Sequence, residues 1–172
     1  PESALSRWRE RLLSRRLFLD SSSLDRATML EFRDILRRAR PPLYVGYAGS
    51  LAIYARFLQA MGGDYHRPRA IISSAEYLGP EQRQVIAEVF ACPVLDRYGS
   101  RETGLVASEC RSDGGLHLAA ESILVEVLKG DQPAAPGETG RVLVTDLMNY
   151  GMPLIRYEIR DAATYEAAAC PC

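Results

Sequence analysis

The residues best suited to chemistry in this 172-residue sequence lie in one stretch, Tyr-Gly-Ser-Arg-Glu-Thr-Gly at positions 98–104. Tyr98 follows a short apolar run, where a buried strand would open into a loop, and Glu102 lies beyond it among small residues. Ligand loops of α/β proteins gather at the carboxyl ends of parallel strands. A tyrosine ring there offers a flat face, and a carboxylate offers hard oxygen ligands for a divalent cation. The pairing predicts a site for a nucleoside triphosphate and its magnesium ion.

Two plainer interpretations of this stretch stay open. The Tyr98 ring would also serve as ordinary packing, because tyrosines are common at strand ends. Glu102 would also fit as a solvated loop charge or as a partner for a helix cap.

A second set of residues has metal-ligand chemistry: a Cys-x6-His pair, Cys110 and His117, and a Cys-x-Cys pair, Cys170 and Cys172. Thiolates and imidazole are the ligands that structural zinc prefers, in a tetrahedral arrangement. A filled site would clip the segment after Glu109 to the end of the chain, and zinc binding contributes on the order of 10–16 kcal/mol to the folding of small peptides. The Cys-x-Cys spacing is tighter than the usual zinc knuckle, so free or partly buried thiols remain the alternative.

The elements that must position these residues alternate in the first half of the chain. Apolar residues recur at helical spacing over 24–38, and the proline pair at 41–42 ends that helix. The spacing of apolar residues, with glycine and proline at the boundaries, predicts five further elements. They are a strand at 43–47, a helix at 51–61, a strand at 70–73, a helix beginning at Pro80 and a strand at 94–95. Alternating strands and helices imply right-handed crossovers and a parallel sheet.

After Gly104 the pattern changes to strands with a period of two, predicted at 116–118, 123–128, 142–147 and 155–159. We therefore predict an α/β fold in which residues 1–104 form a lobe with a parallel sheet and flanking helices. Residues 105–172 form a β-rich subdomain of the same domain.

Composition narrows the class of protein. The chain is 47% hydrophobic and 25% charged, as ordinary globular domains are, and its net charge of −1 gives no bulk attraction to nucleic acid or to a membrane surface. No run approaches the roughly 18 apolar residues of a transmembrane helix, and no secretory signal opens the chain. The cytoplasm is therefore the predicted compartment, where cysteines are more often thiols or metal ligands than disulfides.

Together these segments resemble adenylate-forming enzymes, specifically the phenylacetate–coenzyme A ligase branch and its capsular polysaccharide biosynthesis relatives. The blocks that carry the resemblance recur in order over residues 43–172. They are Ser73-Ser74-Ala75-Glu76-Tyr77-Leu78, the block at 98–104, Pro136-Gly137-Glu138-Thr139-Gly140, Val144-Thr145-Asp146-Leu147, and Met152-Pro153-Leu154-Ile155-Arg156-Tyr157 followed by Asp161. Each block is weak alone, whereas their order and spacing together are specific.

The resemblance implies roles for single residues. Tyr98 would stack on adenine beside Gly99 and Ser100, and Glu102 would act as the catalytic residue that holds magnesium at the phosphates. The other implied groups are Ser74, Ala75 and Glu76 along the edge of the base, Asp161 at the ribose hydroxyls, and Tyr47, Ala48 and Ser50 in the carboxylate pocket.

Some of these positions have alternatives. Asp161 would fit as an ordinary turn residue, and the loop at 47–50 as a simple helix cap. Arg160 precedes Asp161 where much of the superfamily has glycine, and the resemblance marks this arginine as a feature of the branch. Relatives in the branch also place cysteines at positions similar to those of the predicted zinc ligands.

The implied reaction has two halves. A small carboxylic acid attacks the α-phosphate of ATP to give an acyl-adenylate and pyrophosphate, and coenzyme A then takes the acyl group. The family's phosphate loop with its lysine and its mobile C-terminal domain have no counterpart here, and Lys129, the only lysine, matches neither. We therefore expect an internal fragment of a larger enzyme that is inactive alone. The alternatives are a non-catalytic, zinc-clipped nucleotide-binding or interaction module, and an adenylation enzyme of polysaccharide biosynthesis with an acceptor other than coenzyme A.

Overall fold

The structure, a computed structural model, describes residues 16–112, 115–166 and 170–172. Helices alternate with strands in the first half, and strand follows strand in the second. The elements are α1 (Arg26–Ala39), β1 (Leu43–Gly46), α2 (Ala48–Met61), β2 (Ala70–Ser74), α3 (Pro80–Phe90), β3 (Val94–Ser100), β4 (Gly104–Glu109), β5 (Leu116–Leu118), β6 (Ile123–Lys129), β7 (Gln132–Pro133), β8 (Thr139–Asp146) and β9 (Tyr157–Thr164). The predicted α/β fold with a β-rich second part is confirmed.

The first sheet has the strand order β1-β2-β3-β4-β5. Strands β1, β2 and β3 are parallel, as the alternation of strands and helices predicts, and the chain then reverses so that β4 and β5 add antiparallel strands. The sheet therefore continues past residue 104 through a tight hairpin. The division of the chain into two parts at that residue stays a prediction.

The first core lies between this sheet and the three helices. Side chains from the helices, among them Leu58, Ile86 and Phe90, are almost completely buried against Ile71 and Val94 of the sheet. Burying each such aliphatic or aromatic side chain contributes about 1.5–3 kcal/mol. This packing holds the parallel strands in register and so fixes the edge at which their carboxyl ends meet. None of the described helices combines the length and the apolar character that a membrane span requires.

Helix α2 begins earlier than the sequence predicts. Its first residue is Ala48 instead of Leu51, and the preceding Tyr47 makes no capping bond with its side chain. The missing cap comes from a distant residue, because the Gly49 amide donates to Oε2 of Glu76 at 2.8 Å. A carboxylate at a helix amino terminus satisfies an unpaired amide and interacts favourably with the helix dipole. No local pattern in the sequence announces this start.

The second sheet is antiparallel with the order β7-β6-β8-β9, and its core contains Ile123, Val142 and Val144 together with Val106 of the first sheet. The last strand runs over 157–164 instead of the predicted 155–159. The reason is the backbone of Arg156, which has a φ of 50° and cannot continue an extended strand. Ladder pairing with β8 begins only at Tyr157.

Arg83 of α3 links the helix to two strands of the first sheet. Its Nη1 donates to the carbonyl oxygen of Val94 and its Nη2 to Oε1 of Glu109, both at 2.7 Å. The other oxygen of Glu109 accepts from the Asp96 amide at 2.6 Å. Because one partly shielded carboxylate serves both a cation and a strand amide, its loss would affect the helix and the hairpin together.

We expect Arg83→Met to lower the free energy of unfolding by about 1–2 kcal/mol, because Glu109 would keep its partly buried charge without a cation. Urea denaturation monitored by circular dichroism measures this. Arg56→Met on α2 is the matched control, since Arg56 is exposed, and should change stability by less than about 0.5 kcal/mol. An equal loss in both variants would contradict the role of the Arg83–Glu109 pair.

Candidate functional site

The predicted site residues converge on one edge of the first sheet. Because β1, β2 and β3 are parallel, their carboxyl ends lie side by side, and the segments that follow them begin at Tyr47, Ala75 and Arg101. Glu76, in the segment after β2, accepts from the Gly49 amide in the segment after β1. Beside them, Arg97 Nε of β3 donates to Ser74 Oγ at the end of β2, at 3.3 Å. The fold therefore brings together the groups assigned to the adenine and to the carboxylic acid.

The segment after β1 contributes little side-chain chemistry of its own. Ala48 is fully buried in the first core, whereas Tyr47 is about half exposed and Ser50 lies in the first turn of α2. No side-chain cap is made by Tyr47, so the capping alternative is wrong for that residue. The assignment of the 47–50 segment to a carboxylate pocket stays a prediction.

The loop after β2 has an unusual backbone. Ala75 adopts a left-handed conformation with a φ of 67°, which a residue with a side chain rarely takes. Strained residues of this kind cluster at ligand sites, where the surrounding structure holds them in place. The strain turns the chain so that the Glu76 carboxylate reaches the amino terminus of α2. The predicted contacts of Ser74, Ala75 and Glu76 with a base edge stay predictions.

Tyr98 lies at an irregularity of the first sheet. Pairing between β3 and β4 shifts between Tyr98 and Gly99, so that Val106 is an extra residue on β4. Such bulges reorient side chains and are frequent beside active sites. The Tyr98 ring packs against the second core, and its hydroxyl donates to Oδ2 of Asp161 at 2.7 Å. Burial, reinforced by the Asp161 carboxylate, raises the pKa of Tyr98 above its ordinary value, so the hydroxyl stays protonated and acts as a donor.

In the hairpin after Tyr98, the backbones of Gly99 and Gly104 lie very close together. A Cβ on Gly99 would lie 2.2 Å from the carbonyl oxygen of Gly104. Only glycine, which has no Cβ, avoids this clash. The Ser100 hydroxyl accepts from the amides of Glu102 and Thr103, each at 3.2 Å, and so fixes the turn. The predicted contacts of Gly99 and Ser100 with a nucleotide stay predictions.

Glu102 is exposed at the tip of this hairpin. Hydrogen bonding with Ser100 lowers the pKa of its carboxyl below the ordinary value, so the side chain is ionised at neutral pH. It accepts no salt bridge from a cationic side chain within the part of the chain that the structure describes. Its oxygens are therefore available to a hard cation.

Asp161 lies inside β9, so the interpretation as a turn residue is wrong. Pairing with β8 is irregular here, since Arg141 faces Ala162 whereas Leu143 already faces Glu158. Arg160 has a φ of 64° within this bulge. The left-handed residue redirects the strand, and the Asp161 carboxylate reaches the Tyr98 hydroxyl on the other sheet.

The predicted metal ligands form a compact cluster. The ligand atoms of Cys110, His117, Cys170 and Cys172 all lie within 4.8 Å of one another. The Sγ atoms of Cys110 and Cys170 are 3.5 Å apart, and Cys172 Sγ is 3.9 Å from His117 Nε2. Tetrahedral zinc places two sulfurs about 3.8 Å apart, and a sulfur and a nitrogen about 3.6 Å apart. These residues fit zinc in both donor type and spacing.

The surroundings of Cys110 favour a thiolate. The Ser112 amide donates to its Sγ at 3.3 Å and, as the main cause, lowers the pKa of the Cys110 thiol to about 6. Thiolates are the form that binds metal. Cys92, by contrast, packs against the first core, where burial raises its pKa, and it serves there as a small hydrophobic side chain.

Comparison with known proteins shows the fold. Neither a protein-family model nor a curated protein matches the sequence. A solved structure of 2-hydroxyisobutyryl-CoA ligase, in complex with 2-HIB-AMP and CoA, matches 87% of this chain with a TM-score of 0.75 and 16% sequence identity. The anthranilate CoA ligase AuaEII in complex with anthranoyl-AMP matches 69% with a TM-score of 0.56 and 16% identity. The N-terminal subdomain of Klebsiella oxytoca NpsA in complex with 3-hydroxyanthranilyl-AMSN matches 80% with a TM-score of 0.58 and 13% identity.

The chain spans 37%, 24% and 40% of the length of these three proteins. It therefore shares the fold of part of these solved structures, two of which are CoA ligases, as the resemblance implies.

One contact at the site could not be found by sequence reasoning. The resemblance assigns Tyr98 to the base and Asp161 to the ribose, but nothing in the sequence indicates that these side chains bond to each other. They are separated by 63 positions and lie on different sheets. The resemblance implies glycine at position 160 in much of the superfamily, and glycine is the residue that favours the positive φ that Arg160 adopts here.

Proposed function

We propose that this chain is the central part of an ATP-dependent, AMP-forming carboxylate ligase. The observation that carries the proposal is the meeting of Tyr98 and Asp161, through a 2.7 Å hydrogen bond, in a fold shared with acid–coenzyme A ligases. A flat ring beside a carboxylate is an arrangement that suits adenine with its ribose, and the exposed Glu102 carboxylate follows Tyr98 in the same hairpin. Solved structures that share the fold were obtained in complex with acyl-adenylates.

In this proposal each residue has one task. Tyr98 stacks on adenine, while the loop with Ser74, Ala75 and Glu76 follows the edge of the base. Asp161 accepts hydrogen bonds from the ribose hydroxyls, and Glu102 holds the magnesium ion. A magnesium ion held by Glu102 would supply positive charge that offsets the charge of the phosphates, and the segment with Tyr47, Ala48 and Ser50 lines the pocket for the carboxylic acid.

The chemistry is nucleophilic displacement at phosphorus. An oxygen of the substrate carboxylate bonds to the α-phosphorus of ATP, and the bond to the bridging oxygen breaks, so that pyrophosphate leaves. The thiolate of coenzyme A then attacks the acyl carbonyl, and AMP leaves. Positioning and charge neutralisation supply most of the rate in such reactions. The residues of this chain position the nucleotide and contribute no lysine to the phosphates, since Lys129 pairs with Glu138 at 2.6 Å.

The cluster of cysteines and histidine takes a structural role in the proposal. Cys110, His117, Cys170 and Cys172 would hold a zinc ion, which would clip the turn between β4 and β5 to the segment that follows β9. The clip stabilises the pairing of the two sheets across which Tyr98 and Asp161 meet. We place the enzyme in the cytoplasm, the compartment that the sequence predicts.

The direct test is ATP–pyrophosphate exchange with a panel of aliphatic and aromatic carboxylates. We expect a longer protein that supplies the phosphate loop and the mobile C-terminal domain to catalyse exchange, and the isolated chain to bind AMP without exchange. Release of AMP on addition of coenzyme A would then identify the acceptor, whereas exchange without thioester formation would favour an acceptor in polysaccharide biosynthesis. The proposal fails if the longer protein catalyses no exchange with any acid.

A second candidate function is a non-catalytic, zinc-clipped nucleotide-binding module, which the metal-ligand cluster favours. This candidate predicts AMP binding and bound zinc without pyrophosphate exchange in either form of the protein. The same experiment therefore distinguishes the two candidates.

A further inference from the structure

The hydrogen bond between Tyr98 and Asp161 joins the two sheets. Among the described residues it is the only side-chain hydrogen bond between a strand of the first sheet and a strand of the second. Each partner lies at a bulge, where the regular ladder cannot hold its position. The position of the Asp161 carboxylate therefore depends on Tyr98.

Asp161 has few other restraints. Its side chain is exposed, and its neighbour Arg160 adopts a left-handed backbone. Within the described ranges, no group besides the Tyr98 hydroxyl donates to its carboxylate. An aspartate on an exposed bulge has several rotamers available, and a single strong donor selects one of them.

The Tyr98 hydroxyl does not exhaust the acceptor capacity of Asp161. An ionised carboxylate offers two oxygens with about four lone-pair sites. Tyr98 uses one site on Oδ2, so Oδ1 and the rest of Oδ2 remain free. Two neighbouring hydroxyl groups can bind the same carboxylate while the tyrosine holds it.

We infer that the Tyr98 hydroxyl is a positioning group that acts through Asp161 on recognition of the ribose 2′ and 3′ hydroxyls. The inference rests on the proposed function and adds to it, because the tyrosine then has two separate tasks. Its ring faces the base, and its hydroxyl sets the selectivity for ribose over deoxyribose. The raised pKa of the phenol keeps it a donor throughout the neutral range.

The test compares AMP with 2′,3′-dideoxy-AMP, which lacks the hydroxyls that Asp161 would bind. Affinities are measured by isothermal titration calorimetry on the 172-residue chain and on its Tyr98→Phe, Asp161→Asn and double variants. Tyr98→Phe keeps the stacking ring, so we expect AMP to bind about tenfold more weakly and the dideoxy nucleotide to change less than about twofold. The double variant should bind AMP no more weakly than Asp161→Asn, because both changes disrupt the same interaction, that of the Asp161 carboxylate with the ribose hydroxyls.

Tyr65→Phe is the matched control. The Tyr65 hydroxyl also makes an internal hydrogen bond, to the carbonyl oxygen of Val89 at 3.0 Å, but Tyr65 lies before β2, at the opposite end of that strand from the site. We expect this variant to leave both affinities unchanged. A loss there equal to that of Tyr98→Phe would assign the effect to general destabilisation and overturn the inference.

The remaining outcomes separate the inference from the proposed function. If Tyr98→Phe weakens both nucleotides equally, the hydroxyl does not act through the ribose, and the inference fails. It also fails if Asp161→Asn abolishes ribose selectivity while Tyr98→Phe retains it, although the proposed function then stands. If the unmodified chain binds the two nucleotides equally, or binds neither, the ribose site itself fails and the proposed function with it.

Discussion

Removal of zinc by a strong chelator is expected to lower the midpoint of thermal unfolding by about 10 °C or more. The four ligands come from parts of the chain far apart in sequence, with Cys110 and Cys170 separated by 60 positions. A metal that closes so long a loop restricts the unfolded chain strongly. Elemental analysis of protein purified without chelator should find about one zinc per chain, and differential scanning calorimetry measures the midpoint with and without metal.

Cysteine variants provide the control for this prediction. Cys170→Ser should abolish both zinc binding and the response to chelator, whereas Cys92→Ser should preserve both, because Cys92 lies in the first core and outside the cluster. Protein without zinc, or a midpoint unaffected by chelator, would mean that the three cysteines of the cluster are free thiols. Readdition of zinc after chelation should restore the midpoint, which excludes irreversible damage as the cause of the shift.

Much of the first half of the fold follows from local sequence patterns. Pro41 ends α1 because its ring biases the preceding residue away from helical angles, and α1 stops at Ala39. Pro80 begins α3 because a proline at the first helical position needs no amide hydrogen. The apolar runs between these helices are too short for helices and are flanked by proline or glycine, which favours buried strands. Strands β1, β2 and β3 are parallel because the helix between each pair returns the chain to the same edge of the sheet.

The differences from prediction have long-range causes. Helix α2 begins at Ala48 because Glu76, from the next loop, binds its amino terminus. Strand β9 begins late because Arg156 leaves the extended region. Neither cause is visible in the residues around the boundary itself, since one depends on tertiary contact and the other on a backbone conformation that arginine rarely adopts.

The candidate site also has features that follow from local sequence and features that depend on long-range contacts. Local patterns and the resemblance indicate the candidate residues, and the parallel sheet explains why the segments after β1, β2 and β3 meet. The bond between Tyr98 and Asp161 depends on two bulges in two sheets, and bulges add single residues that the alternating pattern does not reveal. The cluster of candidate metal ligands is easier to predict, because cysteine and histidine are rare in this chain and their chemistry is specific.

In the proposed enzyme, Glu102→Gln is expected to slow adenylation by about 10²–10³-fold, a loss typical of removing one electrostatic stabiliser from a transition state. Glutamine has nearly the same size as glutamate, and the backbone amide of residue 102 still donates to the Ser100 hydroxyl. The hairpin should therefore retain its turn. Glu102 is exposed, and folding should therefore be nearly unaffected. Pyrophosphate exchange measured over a range of magnesium concentrations, beside urea denaturation of the same variant, checks both halves of the prediction.

The magnesium dependence of exchange distinguishes a cation-binding role of Glu102 from a structural role. If Glu102 holds the cation, Glu102→Gln should need more magnesium for half-maximal exchange, because one anionic ligand has been replaced by a neutral one. Glu31→Gln is the matched control, an exposed glutamate on α1 far along the chain from the hairpin, and it should leave rate and magnesium requirement unchanged. A different result would contradict the metal role: the exchange rate and the free energy of unfolding of Glu102→Gln both fall, while its magnesium requirement is unaltered. The carboxylate would then support the hairpin and bind no metal. The nucleotide would then have to obtain its magnesium from oxygens elsewhere.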